Sequence, residues 1–444
     1  MTLRVPNMDA YGISPHLGFL SDNGPLTSFT KTQYTPWDEL IANLPHLISS
    51  HSLRRTVNDT LPYIDPSALA SELEHQRAYV VLGFLIHAYV RAQTETGDDD
   101  AAGLPRGTIP PQLAEPFLHV CDELGMPPVL LYAGLCLWNW KPGADQGVLP
   151  ATGDHQFFEL EQLECVGSFT GDLGETDFNL VPVLVEAEGG PLVRLLLDAV
   201  VAGAAGGDGA SKSVQRALEI CAETIERMRK HLAKLYSTLD ADFFYHRLRP
   251  FLSGGKGMED KGLPRGFVFR SRDGSEREVK CIGGSAAQSS LFQFLDLVLG
   301  VVHESTGGGD SETLFQTMRS YMPRKHRDFL EAVERLPTIR SFVQQHPEDE
   351  ALCRAFDDCL GQLRQWRGSH IAVVSKYIVR PARRHAGETV RGTTGARDGS
   401  EPAGFGTDQV EAGDLTGTGG SALIPFLKKT RDETVGLMKR DGTP

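Results

Sequence analysis

One imidazole in the middle of an apolar helical stripe is the first chemical signal in the sequence. In residues 361–381, GQLRQWRGSHIAVVSKYIVRP, Trp366, His370, Val373 or Val374, and Tyr377 recur at three- and four-residue spacing. That spacing puts them on one face of a helix. Pro381 lacks an N–H and clashes with the preceding turn, so the helix is expected to end there. Two roles suit His370. One is a core histidine hydrogen-bonded to a carbonyl. The other is an axial ligand to a metal or haem, because neutral imidazole is the commonest such ligand.

The remaining reactive residues exclude several chemistries. The seven cysteines, Cys121, Cys136, Cys165, Cys221, Cys281, Cys353 and Cys359, are scattered and form neither CxxC nor CxxCH. That pattern argues against a disulfide framework, a zinc finger and covalently attached haem. Reduced thiols and a cytoplasmic location fit best. No HExxH and no Cys/His pair has ligand spacing, which makes a zinc hydrolase remote. The GGSA run at 283–286 reads by itself as a turn before a helix, although glycine also lets backbone approach a ligand closely.

These residues need elements to position them. A chain of 444 residues is long enough for two or three domains. Lys+Arg 44 against Asp+Glu 58 gives a net charge of −14, which disfavours nucleic acid and anionic membrane surfaces as partners. No stretch approaches the roughly 18 apolar residues of a membrane span, and the N-terminus lacks the apolar run of a signal peptide. Residues 1–36 are rich in Pro, Gly, Ser and Thr and are expected to run extended. Helical patterns cover 37–52, 66–93, 111–124, 178–187, 190–203, 212–237, 240–252, 286–303, 311–320, 324–334 and 350–380. In the second, Leu69, Leu73, Val80 and Phe84 suggest the buried face. MPPVLLYAGLCLWNW (126–140) is apolar nearly all round and reads as core or pocket wall. Residues 141–176 and 253–285 each have room for a hairpin, and GGG at 307–309 marks a helix connection. Residues 382–412 are poor in apolar side chains and read as a mobile loop, followed by an amphipathic helix. The expected fold class is all-α.

Several segments together resemble the indoleamine 2,3-dioxygenase family of haem enzymes. They are CIGGSAAQSSLFQFLDLVLG (281–300), MRSYMPRKHRDFL (318–330), SHIAVVSKYIVRPA (369–382) and GTGGSALIPFLKK (417–429). MPPVLLYAGLCLWNW, FYHRLRPFLSGGKG (244–257) and the opening GISPHLGFL also fit, in the same order, over roughly residues 11–435. The resemblance implies a two-domain all-α fold. A smaller N-terminal domain, 1–167, would cap a larger helical domain, 168–444, that holds non-covalent haem b. It implies a monomer acting on a small indole substrate, with O2 as co-substrate and an external reductant. The implied reaction opens the indole C2–C3 bond of L-tryptophan to N-formylkynurenine, feeding the kynurenine pathway of tryptophan catabolism and NAD biosynthesis.

The resemblance also assigns residues. His370 falls at the proximal iron ligand, with Asp296 and Arg367 on the proximal and propionate side. Arg249 matches the arginine that pairs with the substrate carboxylate, and Phe244 the aromatic that packs on the indole. Tyr132, Leu135 and Cys136 match the pocket wall, with Phe178 facing them. Leu252, Gly284, Ser285 and Ala286 match the rim. Thr418 matches the position that closes over the substrate. One departure stands out: Pro182 lies where tryptophan-cleaving members carry Ser, and Asn179 where an aromatic is common. Proline has no hydroxyl and no N–H, so it cannot hydrogen-bond bound oxygen or the indole N–H. Inside a helix it would kink; in a first turn it would be tolerated. A second departure, Arg247 beside Arg249, reads as a solvated residue. Two alternatives remain. One is the same haem fold acting on another indole in secondary metabolism. The other is a haem-binding protein without turnover, against which retention of Arg249 and Thr418 argues.

Overall fold

The computed structural model describes residues 3–96, 104–143, 159–303, 314–384 and 423–435. It is built of helices, with two small sheets. In the first part of the chain, α1 (Thr35–Ala42), α2 (Leu44–Ser49) and α3 (Leu53–Thr60) surround α4 (Glu72–Thr96), which packs along α5 (Pro111–Leu124). Then come α6 (Leu173–Gly189), α7 (Pro191–Ala205), α8 (Ala210–Ala233), α9 (Leu235–Thr238) and α10 (Arg249–Leu252). The last part holds α11 (Ser290–Leu299), α12 (Leu314–Arg319), α13 (Arg324–Glu334), α14 (Ile339–Gln345), α15 (Glu350–Val374) and α16 (Leu423–Val435).

The helix starts reflect local capping chemistry. Asp172 caps α6 by accepting from the Gly174 N–H, and Asp349 caps α15 by accepting from the Leu352 N–H at 3.0 Å. Each aspartate satisfies a donor that the helix itself leaves unpaired. The most extensively packed pair is α8 with α15, the helix that carries His370. Helices α6 and α7 lie on α8, and α16 lies on α15. One apolar core runs through the molecule and takes in residues from Met8 to Tyr377.

Strands β1 (Thr108–Ile109), β4 (Phe267–Arg270) and β5 (Glu276–Val279) form one sheet, with β1 parallel to β4 and β4 antiparallel to β5. Strands β2 (Trp140–Pro142) and β3 (Leu163–Cys165) pair antiparallel, with Trp140 opposite Cys165. Both expected hairpin regions therefore contain paired strands.

Other expectations needed correction. Helix α4 begins at Glu72, not 66; Leu69 precedes it and Leu73 is 36% exposed. From Ala78 to Ile86 every residue is buried, so the periodicity there marks no single face. Helix α3 was not expected. Residues 240–252 form a π-turn, Phe243–Leu248, before α10, and 286–303 begin as a 3-10 turn at Ala286–Gln288. Pro381 does not end its helix: α15 passes into a π-turn at Ser375–Val379 and stays helical through Arg384. The wider turn removes the need for the donor that proline lacks. Residues 382–384 of the expected loop are therefore helical. The remainder of that loop, Thr418 and the GGG run lie outside the described residues.

A charged cluster joins the last helices. Arg367 on α15 donates to Asp296 Oδ1 of α11 at 2.5 Å, and also bonds the Thr430 carbonyl and the Thr434 hydroxyl of α16. His303 lies 3.0 Å from Asp296 Oδ2 through Nε2 and 2.6 Å from Glu433 Oε2 through Nδ1. Lys429 adds an ion pair to Glu433 at 3.7 Å. Both imidazole nitrogens face carboxylates, and a ring can donate from both only as the imidazolium. Burial opposes that charge, but the bond and charge of Asp296 outweigh it and raise the His303 pKa. A raised histidine pKa gives stability that is present below about pH 6.5 and lost as pH rises through the folded value. His303→Gln is therefore expected to ease opening of α16 by about 1–3 kcal/mol at pH 6 and by much less at pH 9. Hydrogen exchange of the α16 amides measures this, and an equal effect at both pH values would refute the imidazolium bridge.

Candidate active site

Three histidines invite comparison. His87 on α4 has Nδ1 2.7 Å from the Phe251 carbonyl, while its Nε2 accepts the Leu130 N–H at 2.9 Å. Burial pushes its pKa down to about 4, and both nitrogens are used by the neutral ring. His326 on α13 is pushed down to about 3 and meets the Ser290 hydroxyl at 3.2 Å. His370 is also pushed down to about 4, with burial as the cause, but among the described residues it has no hydrogen-bond partner. The residue keeps some accessible surface. The core-histidine role required a carbonyl partner, as His87 has; His370 lacks one. A neutral imidazole with an unengaged nitrogen is in the state that a metal ligand needs.

From that helix a chain of aromatic contacts leads to several of the residues singled out in the sequence. Two turns after His370, Tyr377 donates its hydroxyl to the Leu235 carbonyl at 2.6 Å. Its ring lies 6.1 Å from Phe244, which lies 4.9 Å from Phe178 of α6. Along α6, Phe178, Pro182 and Glu186 come at four-residue spacing and so share one face. Phe178 and Pro182 are half-buried on a helix whose residues from Asn179 to Gly189 are otherwise buried. Pro182 lies in the interior of α6, not in its first turn. Asn179 is 1% exposed; neither amide atom makes a hydrogen bond of ordinary geometry, and the Cys165 thiol is its polar neighbour.

The apolar wall is the π-turn Ala133–Leu137, entered through Tyr132. Tyr132, Leu135 and Cys136 are all buried. The Tyr132 N–H donates to Gln288 Oε1 at 3.0 Å, and Gln288 Nε2 donates back to the Gly283 carbonyl at 2.9 Å. Gly283 and Gly284 are needed for chain-to-chain approach: a Cβ on Gly283 would sit 1.9 Å from the Leu252 carbonyl oxygen, and one on Gly284 2.4 Å from Leu135 Cδ1. The glycines thus bring Leu252, Leu135 and the GGSAAQS turn together, a reason that their sequence context does not contain. Ser285 caps that turn by accepting from the Ala287 N–H, and Ala286 is exposed.

Arg249 is the first residue of α10, half-buried, with its guanidinium 5.4 Å from the Tyr245 ring centre. Partial burial, and after it the charges of Arg249 and Arg91, lower the Lys261 pKa. Three cations therefore stand close together here. Arg247 is exposed over Phe243, as a solvated residue. Asp296 and Arg367 form the ion pair already described, one turn from His370. The buried carboxyl Glu186, the core histidine His87 and the three π-turns were not anticipated from the sequence.

Gly283→Ala is expected to lower stability by about 1–3 kcal/mol or more through overpacking against Leu252. Urea unfolding measures this, and a neutral substitution would show that the backbones are not held in contact.

The family model of indoleamine 2,3-dioxygenase matches residues 7–436. The chain is 36% identical over 441 residues to the indoleamine 2,3-dioxygenase of Saccharomyces cerevisiae, covering 97% of this chain and 93% of that one. It is 35% identical to a 6-hydroxytryptophan 2,3-dioxygenase of Fusarium equiseti, covering 97% and 98% of the two chains. It is 32% identical to indoleamine 2,3-dioxygenase 1 of Rattus norvegicus, covering 96% and 94%. With the whole matched length spanning the helices that carry His370, Arg249 and the GGSAAQS turn, the chain belongs to the indoleamine 2,3-dioxygenase family of oxidoreductases.

Proposed function

We propose that this protein is a haem-dependent dioxygenase that cleaves the indole C2–C3 bond of L-tryptophan to give N-formylkynurenine. The observation that carries this reading is His370, a neutral imidazole with no partner among the described residues, two turns before Tyr377, whose ring meets Phe244 and through it Phe178. His370 is the residue that would hold haem b through its iron, with the Asp296–Arg367 pair fixing the helix one turn away. Haem, when bound, supplies the activation of dioxygen that indole by itself does not undergo.

The chain's own residues orient the substrate and exclude water. Phe244 and Phe178 pack on the indole, and Tyr132, Leu135 and Cys136 close the wall behind it. Leu252 and the turn Gly284, Ser285, Ala286 form the rim, and Thr418 is the residue that the family resemblance assigns to closing over the substrate. Arg249 takes the substrate carboxylate, and a charged hydrogen bond of this kind contributes on the order of 1.5–3 kcal/mol. With such fixed contacts the indole is held in one orientation, which converts binding energy into rate. A cytoplasmic setting, where reductant is available, suits this chemistry.

The test uses haem-reconstituted protein with a reductant and L-tryptophan, following the near-ultraviolet absorbance of N-formylkynurenine. His370→Ala is expected to lose the wild-type Soret band and turnover together. Arg249→Ala is expected to keep the Soret band and lose roughly 10- to 150-fold in kcat/KM. A wild-type Soret band without product from any indole would leave a haem-binding protein without turnover.

A second reading has its own observation. Pro182 inside α6 removes the N–H that would bond the Phe178 carbonyl, leaving that acceptor without its helical donor at the pocket face. A ring hydroxyl on the indole could donate there. A relative named for 6-hydroxytryptophan supports this choice of substrate. Pro182→Ser is expected to lower the preference for 6-hydroxytryptophan over tryptophan by about tenfold in the ratio of kcat/KM. An unchanged ratio would leave tryptophan as the substrate.

A further inference from the structure

Glu186 is a buried carboxyl to which the reaction assigns no role. It is 1% exposed and lies two turns beyond Phe178 on the same face of α6. Its Oε1 accepts the Tyr132 hydroxyl at 2.9 Å and the Ser289 hydroxyl at 2.7 Å. Its Oε2 is buried and, among the described residues, has no partner. Tyr132 belongs to the apolar wall, and Ser289 ends the GGSAAQS turn. The same two segments are joined again by Gln288, which takes the Tyr132 N–H.

We propose that Glu186 is a positioning residue for the substrate pocket, its carboxyl clamping the Tyr132 and Ser289 hydroxyls so that α6, the wall and the GGSAAQS turn form one frame. This rests on Tyr132 lining the indole pocket. Two donors on one oxygen and none on the other make the ionised form costly in the interior. Burial pushes the Glu186 pKa up to about 7, against the two hydroxyl bonds that favour the anion. The groups that face it from the neighbouring elements are Tyr132, Ser289 and, through charge, Cys136. Burial raises the pKa of Tyr132 and Cys136, so both stay protonated, and no cation among these groups offsets the carboxylate. The clamp is therefore a stronger acceptor above neutral pH than below it, and the set of the Tyr132 ring changes with it.

The experiment compares haem-loaded wild type, Glu186→Gln, Glu186→Leu and Tyr132→Phe between pH 5.5 and pH 8.5, taken as roughly the span of the shifted titration. In wild type, KM for the indole substrate is expected to change by about 3- to 10-fold across that range, with a midpoint near neutrality. Glu186→Gln keeps an acceptor but cannot ionise, so its KM profile is expected to be flat, with the Soret band unaltered. Glu186→Leu is expected to lose about tenfold in kcat/KM at every pH. A Glu186→Gln profile that tracks wild type overturns the proposal, even if stability has changed. The infrared spectrum supplies a readout that needs no turnover. A protonated buried carboxyl band should be present at pH 5.5, lost in Glu186→Gln and shifted in Tyr132→Phe. If no indole is turned over but those bands behave as stated, the assigned reaction fails and the frame stands. A band that ignores Tyr132→Phe overturns the frame.

Discussion

An imidazole that no described protein group engages is not positioned by bonds of its own, so the fold must hold it there by other means. His370 is not stabilised locally; its helix is. Trp366, one turn earlier, stacks on Phe292 of α11 with ring centres 4.7 Å apart. Tyr377, two turns later, is tied to the start of α9 by its hydroxyl. Arg367 anchors the intervening turn to α11 and α16. These contacts fix rotation and register on both sides of the imidazole while none engages it. The two histidines His87 and His326 show the alternative solution, in which the ring itself is part of the packing.

Irregular helical turns do the finer positioning. Among the described residues, π-turns occur at Ala133–Leu137, Phe243–Leu248 and Ser375–Val379, and every one contains or closely follows a candidate site residue. The second and third touch each other through Phe244 and Tyr377, and the first and second both pack on α6. A π-turn widens the helix by one residue and rotates the chain beyond it. Here that rotation aims Phe244 and Arg249 from one short segment, and it lets α15 run on past Pro381. Two of the three are succeeded two residues later by proline, Pro250 and Pro381, which cannot supply an i→i−4 donor.

That pairing explains what could and could not be read from the sequence. His370, Trp366 and Tyr377 were legible because a 3.6-residue period survives in a helix with one buried face. Pro381 was legible as an interruption but not as its resolution, since a missing N–H is satisfied equally by a helix end or by a wider turn. Helix α4 hid its boundaries because its central turns are apolar on every side. The pocket residues Tyr132, Leu135, Cys136, Phe244 and Leu252 came through the family resemblance, not through periodicity. The role of Gly283 was invisible, because it depends on the carbonyl of Leu252, distant in sequence and 1.9 Å from where a Cβ would stand. Glu186 was invisible for the same reason: its partners come from two other segments.

Charge separates scaffold from site. In the Asp296, His303, Arg367 and Glu433 cluster each carboxylate meets a cation, so no charge is buried without an opposite partner. Its partners span three elements, as a structural lock requires. On α6 and α10 the pattern differs. Glu186 accepts from the hydroxyls of Tyr132 and Ser289, and Lys261, its pKa lowered by burial and after it by the charges of Arg249 and Arg91, stands near those two arginines. A carboxylate presented to Arg249 would relieve the crowding of cations at the mouth. Glu186, deeper in the pocket wall, would feel an approaching indole through Tyr132. On the proposed reading, Arg249 meets the carboxylate of an amino-acid substrate while Glu186 supports the ring pocket through Tyr132.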